Sequence, residues 1–131
     1  MRAHLILYVA DQAQATAFYS AALGSAPTLD VPGMTEFTLG PGAILGLMPE
    51  AGIRRLLGDA IADPATAAGT PRAELYLVVD DAEAAFGRAV AAGGRVLSPV
   101  LPRDWGDRSG YLADRDGHVL AFADRTGGSR A

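Results

Sequence analysis

The chain has 131 residues, no cysteine and a formal net charge of −4, and half of its residues are hydrophobic. This length and composition predict one globular domain that buries its core without disulfides. The eleven basic residues are all arginine and are scattered along the chain, which argues against nucleic-acid binding. No apolar run is long enough for a membrane span or a secretory signal, so we expect a cytoplasmic protein with no membrane partner.

The chain contains two related halves. Residues 3–11 read AHLILYVAD, and 70 positions later residues 73–81 read AELYLVVDD. A second match relates residues 42–47, GAILGL, to residues 117–122, GHVLAF. Two copies of one unit predict a pseudo-symmetric domain, and the seam between the copies is a natural place for a ligand.

The first unit, residues 1–48, predicts one strand, one helix and three further strands. Leu5–Val9 is a β-rich run, Asp11 stands three residues before Gln14 as in a helix capping box, and Gly24 is a typical helix end. Turn residues at 33 and 41–42 separate the three later strands. We expect these strands at Thr28–Val31, Glu36–Leu39 and Ile44–Met48.

The linker, residues 49–72, is long for a connection inside a compact domain. Residues 51–58 predict a short helix with Ile53, Leu56 and Leu57 facing inward. Residues 59–72 predict a loop. The linker is either an extended connection or a lid over the seam.

The second unit, residues 73–126, predicts the same order of elements. Leu75–Val79 is followed by Asp81 as a helix N-cap, and Gly93–Gly94 ends the helix. Asp116–Gly117 is a hairpin turn signal, and residues 126–131 predict a frayed tail. The three later strands are expected at Val96–Val100, Ser109–Ala113 and Val119–Ala123.

The first strand of each unit has one face that is nearly the same in both copies and one that differs. Because side chains alternate across a strand, Leu5, Leu7 and Val9 share a face and match Leu75, Leu77 and Val79. We expect the matching face to pack on the helix of its own unit. The differing face is then expected to line a cleft, and it consists of His4, Ile6, Tyr8, Glu74, Tyr76 and Val78.

Three polar or aromatic positions in the second unit stand apart from the strand pattern. Trp105, the only tryptophan, is either a packing anchor for its loop or a stacking wall for a flat ligand. Asp107 either pairs with Arg108 or supplies a polar contact at the mouth of the cleft. His118 follows the turn at 116–117, and a role in that turn is favoured over catalysis.

Several motifs resemble the vicinal oxygen chelate superfamily, which includes glyoxalase I, extradiol dioxygenases and bleomycin-resistance proteins. The resemblance rests on HLILYVAD at 4–11, AFY at 17–19, LG at 23–24 and DRDGH at 114–118. The stretch DWGDR at 104–108 is similar to the bleomycin-resistance and PhnB-like branch. The resemblance implies an α+β fold in which two βαβββ modules form a cupped mixed sheet around a cleft, commonly in a homodimer.

The resemblance also implies where a metal would bind in related enzymes. Their ligands come from the first and last strands of each module, which correspond here to His4, Glu74, Gly46 and Ala121. Gly46 and Ala121 cannot coordinate a metal, and a catalytic divalent site generally needs about three protein ligands. We therefore expect no metal cofactor, with His4 and Glu74 paired with each other or serving a bound ligand, and with room left at the two small residues.

The favoured function is metal-independent binding of an apolar or aromatic small molecule in the cleft. The expected ligand-binding residues are Ile6, Tyr8, Ile44, Tyr76, Trp105 and Asp107. The alternative is a metal-dependent lyase or isomerase similar to lactoylglutathione lyase, in which His4 and Glu74 are the weak catalytic candidates and other ligands complete the shell. A third possibility is a dimeric module whose cleft is filled by its own side chains.

Overall fold

Each half of the chain folds into one strand, one helix and three strands, as the repeat predicts. The computed structural model describes residues 1–67 and 69–125, so the predicted tail at 126–131 lies outside the described residues. In chain order the helices and strands are β1 (Ala3–Val9), α1 (Gln12–Leu23), β2 (Leu29–Val31), β3 (Met34–Gly40), β4 (Ala43–Pro49), α2 (Glu50–Leu57), β5 (Glu74–Val78), α3 (Ala82–Ala91), β6 (Arg95–Pro102), β7 (Arg108–Ala113) and β8 (Val119–Asp124).

The strands form two four-stranded mixed sheets, ordered β1-β4-β3-β2 and β5-β8-β7-β6. In each sheet the first strand pairs in parallel with the last strand of its module, and the other pairs are antiparallel. The predicted α+β class with two repeated βαβββ modules is confirmed. β1 and β5 are therefore edge strands, each with one side that is unpaired within its own sheet.

The two long helices begin at the predicted caps and join the modules. The Asp11 carboxylate accepts a hydrogen bond from the Gln14 backbone N–H at 2.9 Å, and Asp81 accepts one from the Ala84 N–H at 3.1 Å. Gly24, with φ of 67°, ends α1 in the left-handed conformation that glycine adopts without strain. α1 and α3 pack against each other, and one apolar core joins them to both sheets.

The short helix α2 was predicted correctly, but the prediction that its whole apolar side faces inward is wrong. Ile53 is buried, whereas Leu56 is 71% exposed and Leu57 is also exposed. α2 packs on β4 and β1. The Arg54 guanidinium donates to the carbonyl oxygens of Gly58 and Ile61 at 3.4 Å each and ties the helix to the linker. Among the described residues, no helix is long and apolar enough to cross a membrane.

The Asp114 carboxylate connects the first module to the β7–β8 turn of the second. Its Oδ2 accepts hydrogen bonds from the Tyr19 hydroxyl of α1 at 2.7 Å and pairs with His118 Nδ1 at 2.8 Å. Its Oδ1 accepts from the backbone N–H groups of Asp116 and His118, each at 2.9 Å. Burial alone would raise the pKa of Asp114, but the hydrogen bonds from His118 and Tyr19 outweigh it and lower the pKa.

We expect Asp114→Asn to destabilise the fold by about 2–4 kcal/mol near neutral pH, because the amide cannot accept all four hydrogen bonds. A lowered carboxyl pKa stabilises the folded state above the unfolded-state pKa, and that stability is lost as the pH falls through the folded-state pKa. Urea unfolding should therefore show a smaller loss of stability on acidification in Asp114→Asn than in the wild type. Asp80→Asn, at an exposed position, is the control, and the same acid dependence in all three proteins would contradict the assignment.

Candidate functional site

A cavity of about 500 Å³ lies at the seam, the junction where β1 of the first module and the start of β5 of the second face each other. Its volume is in the range of small-molecule sites. The linker and the β7–β8 turn complete its walls. The lining residues are Leu5, Ile6, Leu7, Tyr8, Glu50, Ile61, Ala62, Pro64, Ala67, Thr70, Pro71, Arg72, Ala73, Glu74, Leu75, Asp116, Gly117, His118 and Val119.

Both faces of β1 reach this cavity, because β1 is an edge strand. Ile6 and Tyr8 line it, as the differing face of the repeat predicts. Leu5 and Leu7, which were expected to pack only on the helix, also line it, and Leu5 remains 40% exposed. Val9 is fully buried as expected. Of the six residues expected to line a cleft, Ile6, Tyr8 and Glu74 line this cavity, whereas His4, Tyr76 and Val78 do not.

The linker forms one wall of the cavity and is held against the β7–β8 turn. The Gly69 N–H donates to the Asp116 carbonyl oxygen at 3.2 Å. A Cβ atom on Gly117 would lie 2.6 Å from Gly69 Cα, so a side chain at position 117 would push the linker away. Gly117 also has φ of 87°, which disfavours other residues. The linker therefore lines the cavity and is bonded to the turn beside it, and whether it acts as a lid stays a prediction.

One end of the cavity is polar, and His118, Asp116 and Glu50 lie there together. Burial would lower the pKa of His118, but its hydrogen bond with Asp114 and the negative charges of Asp114, Asp116 and Glu50 raise it. Burial raises the pKa of Glu50, and the nearby charges of Asp116 and Asp63 raise it further. Asp116 Oδ1 also accepts from the Ala10 backbone N–H at 2.9 Å, which fixes the turn to the end of β1.

The two weak catalytic candidates are placed apart. His4 lies on the open face of the first sheet, where its Nδ1 is 3.5 Å from Glu36 Oε2 of β3. Glu74 is exposed and lines the cavity at the start of β5. The structure thus pairs His4 with Glu36 of its own sheet rather than with Glu74 across the seam.

The expectation that Gly46 and Ala121 leave room is wrong at Gly46. A Cβ on Gly46 would lie 3.0 Å from Ile6 Cγ1 and 3.3 Å from Met34 Sδ, so neighbouring side chains already occupy the space above the glycine. Ala121 is fully buried, between Tyr76 and Tyr111 in the strand register. The space above Gly46 is therefore closed by packing.

The predicted ligand-binding residues fall in different places. Ile6 and Tyr8 line the cavity, whereas Ile44 is buried beside His4 in the strand register. The other three form a separate cluster on the second sheet, which consists of Tyr76, Trp105 and Asp107. There the Trp105 indole N–H donates to the Tyr76 hydroxyl at 2.9 Å, and that hydroxyl donates to Asp107 at 2.6 Å.

This second cluster does not line the cavity. Asp107 is buried, and Trp105 is 56% exposed. Burial and the hydrogen bond with Asp107 raise the pKa of Tyr76. Arg108 forms its ion pair with Asp124 at 2.7 Å. Trp105 thus contacts this pair through the hydrogen bond from its indole N–H to the Tyr76 hydroxyl, and both alternatives for it stay predictions.

Sequence reasoning missed the polar end of the cavity. The segment DRDGH at 114–118 predicts a hairpin turn and favours a structural role for His118 in it. The hydrogen bond between His118 and Asp114 agrees with that role. Glu50 carries a usable signal, because it directly follows β4 and so lies at the same end of the sheet as the end of the parallel strand β1. That His118 would reach the same place depends on the packing of the modules.

The residues present do not fit the metal shell that the resemblance implies, because His4, Glu74, Gly46 and Ala121 offer no three ligand atoms together. Among residues 1–67 and 69–125, one trio brings ligand atoms within 4.8 Å of one another: Asp114, Asp116 and His118. Asp114 uses both oxygens for hydrogen bonds in the turn, and His118 Nδ1 is bonded to it. The hydrogen bonds of Asp116 and His118 to Asp114 thus stabilise the β7–β8 turn.

Comparison with known proteins agrees with this architecture. The Glyoxalase/Bleomycin resistance protein/Dioxygenase superfamily matches residues 2–122. Uncharacterised proteins of Mycobacterium bovis and Mycobacterium tuberculosis are 31% identical over 115 residues, which cover 86% of this chain and 75% and 67% of those proteins.

Solved structures give the same result. A glyoxalase-related enzyme from Fulvimarina pelagi has a TM-score of 0.81 at 26% identity, covering 95% of this chain and 88% of its own. A glyoxalase/bleomycin resistance protein/dioxygenase from Nocardioides has a TM-score of 0.74 at 25% identity, covering 100% of this chain and 87% of its own. The family match spans residues 2–122 and therefore covers both βαβββ modules. The chain thus belongs to the glyoxalase/bleomycin resistance/dioxygenase superfamily.

Proposed function

We propose that this superfamily member binds a small, mainly apolar molecule in the seam cavity, without a metal. The observation that carries the proposal is the cavity itself, whose walls come from both modules and the linker. Most of its lining is aliphatic or aromatic, and three of its polar groups, Glu50, Asp116 and His118, lie close together. Burial of apolar surface would supply most of the affinity, and the polar end would orient the ligand.

Metal independence is supported by the donor atoms. His4 has one carboxylate beside it, that of Glu36, and both side chains are partly exposed. One imidazole and one carboxylate bind a divalent ion weakly, because water molecules must fill the remaining coordination positions of the ion. This favours metal-independent binding, as in a bleomycin-resistance-like protein, over the alternative of a metal-dependent lyase.

Filling the cavity tests the proposal directly. Ala62 lines the cavity from the linker, whereas Ala65, three residues further along the linker, does not line it. We expect Ala62→Trp to weaken binding of the neutral fluorescent probe N-phenyl-1-naphthylamine by at least about tenfold, because the indole occupies the ligand space. Fluorescence titration measures the dissociation constant.

Ala65→Trp is the matched control, and its affinity should stay within about twofold of the wild type. Equal loss in both variants would mean that disturbance of the linker, and not occupation of the cavity, explains the result. Unchanged binding in Ala62→Trp would locate the probe elsewhere and remove the support for a ligand in the cavity.

We expect no stoichiometric binding of nickel, zinc, manganese or ferrous iron at micromolar metal concentration, measured by calorimetry on protein purified without a metal-affinity tag. His4→Ala and His118→Ala separate the two places where a metal could bind. Tight binding lost only in His4→Ala would support the lyase alternative. Tight binding lost only in His118→Ala would assign a metal to the β7–β8 turn.

A homodimer is part of the same proposal. β2 and β6, at the outer edges of the two sheets, carry exposed apolar side chains, namely Leu29, Val31, Val96, Leu97 and Leu101. Exposed apolar edges favour association with another chain. Sedimentation velocity at micromolar concentration should give twice the mass of the chain, and a monomer would contradict this part of the proposal.

A further inference from the structure

We infer that the polar end of the cavity selects an uncharged head group that both accepts and donates hydrogen bonds, such as a carboxamide, and that His118 and Glu50 are the two residues that bind it. The inference rests on the proposed function, since it names the chemical class of ligand for the same cavity. It follows from three features: a fixed imidazole, a carboxyl group beside it, and the mixture of charges around them.

The His118 ring is fixed before any ligand arrives. Nδ1 is bonded to Asp114 Oδ2 at 2.8 Å, and the backbone N–H of the same residue donates to Asp114 Oδ1 at 2.9 Å. Asp114 is itself held by Tyr19 and has a side chain only 3% exposed. With Nδ1 engaged, Nε2 is the ring nitrogen that serves the cavity, and it donates a hydrogen bond when the ring is protonated.

Glu50 supplies the complementary acceptor. It is the first residue of α2, is partly buried, and lines the cavity with His118. The two groups are close enough for each to influence the pKa of the other. No ion pair of Glu50 is found within residues 1–67 and 69–125. Its carboxylate oxygens are therefore available to a ligand N–H.

The groups that line the cavity carry charges of both signs. An anion would meet the carboxylates of Glu50, Glu74 and Asp116. A cation would meet Arg72 and an imidazole whose raised pKa favours its charged form. A neutral amide avoids both, because its carbonyl oxygen accepts from Nε2–H and its N–H donates to Glu50.

Four probes that share one benzene ring test this inference: toluene, benzamide, benzoate and benzylamine. Titrations followed by amide and methyl chemical shifts, at about pH 6 where an imidazole is protonated, report both affinity and location. We expect benzamide to perturb the cavity signals of Ile6, Ile61 and Val119. Its affinity should exceed that of each other probe by at least about fivefold, as one or two added hydrogen bonds would give.

Variants identify the residues that bind the head group. His118→Gln can keep a donor to Asp114 but lacks a second nitrogen at the position of Nε2, and Glu50→Gln replaces the anionic acceptor with a neutral amide. Each should reduce benzamide affinity about fivefold to tenfold and leave toluene affinity unchanged. His4→Gln, at the only other histidine, is the control and should leave both unchanged. Thermal unfolding of each variant verifies that it is folded.

The outcomes separate this inference from the proposed function. Cavity shifts with toluene and benzamide of equal affinity, or tighter binding of benzoate or benzylamine, would overturn the head-group inference and leave the cavity as the binding site. Selective benzamide binding that survives both His118→Gln and Glu50→Gln would overturn the assignment of the two residues. Absence of cavity shifts with all four probes, in the folded wild-type protein, would overturn both proposals.

Discussion

The buried carboxylate of Asp114 is the interaction on which the rest of the site depends. It holds Tyr19 of the first module and His118 of the second through one oxygen atom, and shapes the β7–β8 turn through the other. A buried carboxylate is costly unless its lone pairs are satisfied, and here four donors satisfy them. The position of His118 in the cavity thus follows from the same contacts that join α1 to the turn.

Packing on the open faces of the sheets explains why the cavity lies at the seam. Ile6 and Met34 fill the space above Gly46, and Trp105 caps Tyr76 and the buried Asp107. Apolar side chains therefore fill the space above Gly46, one of the positions that the family resemblance assigns to a metal ligand. The unpaired sides of the edge strands β1 and β5 remain, and the linker covers the gap between them.

Local signals predicted the fold well and the site only in part. The caps at Asp11 and Asp81, the glycine that ends α1 and the alternation in Leu5–Val9 are properties of neighbouring residues, so the sequence contains them. The exposure of Leu56 could not be predicted this way, since it depends on how α2 packs on β4 and β1. Glu50 and His118 line the same cavity because the two modules pack against each other. The sequence of one module alone does not predict that packing.

The two modules differ in the turn that precedes their last strand, and the turn of the second module lines the cavity. The segment DRDGH, at the turn before the last strand of the second module, corresponds in the first to residues 39–43, LGPGA. The acids and the imidazole at 114, 116 and 118 thus match leucine, proline and alanine. A pseudo-symmetric fold supplies two equivalent turns, but side chains able to bind a polar group are present at one of them. The polar groups that this turn brings to the cavity therefore come from the sequence of the second module and not from the repeated architecture.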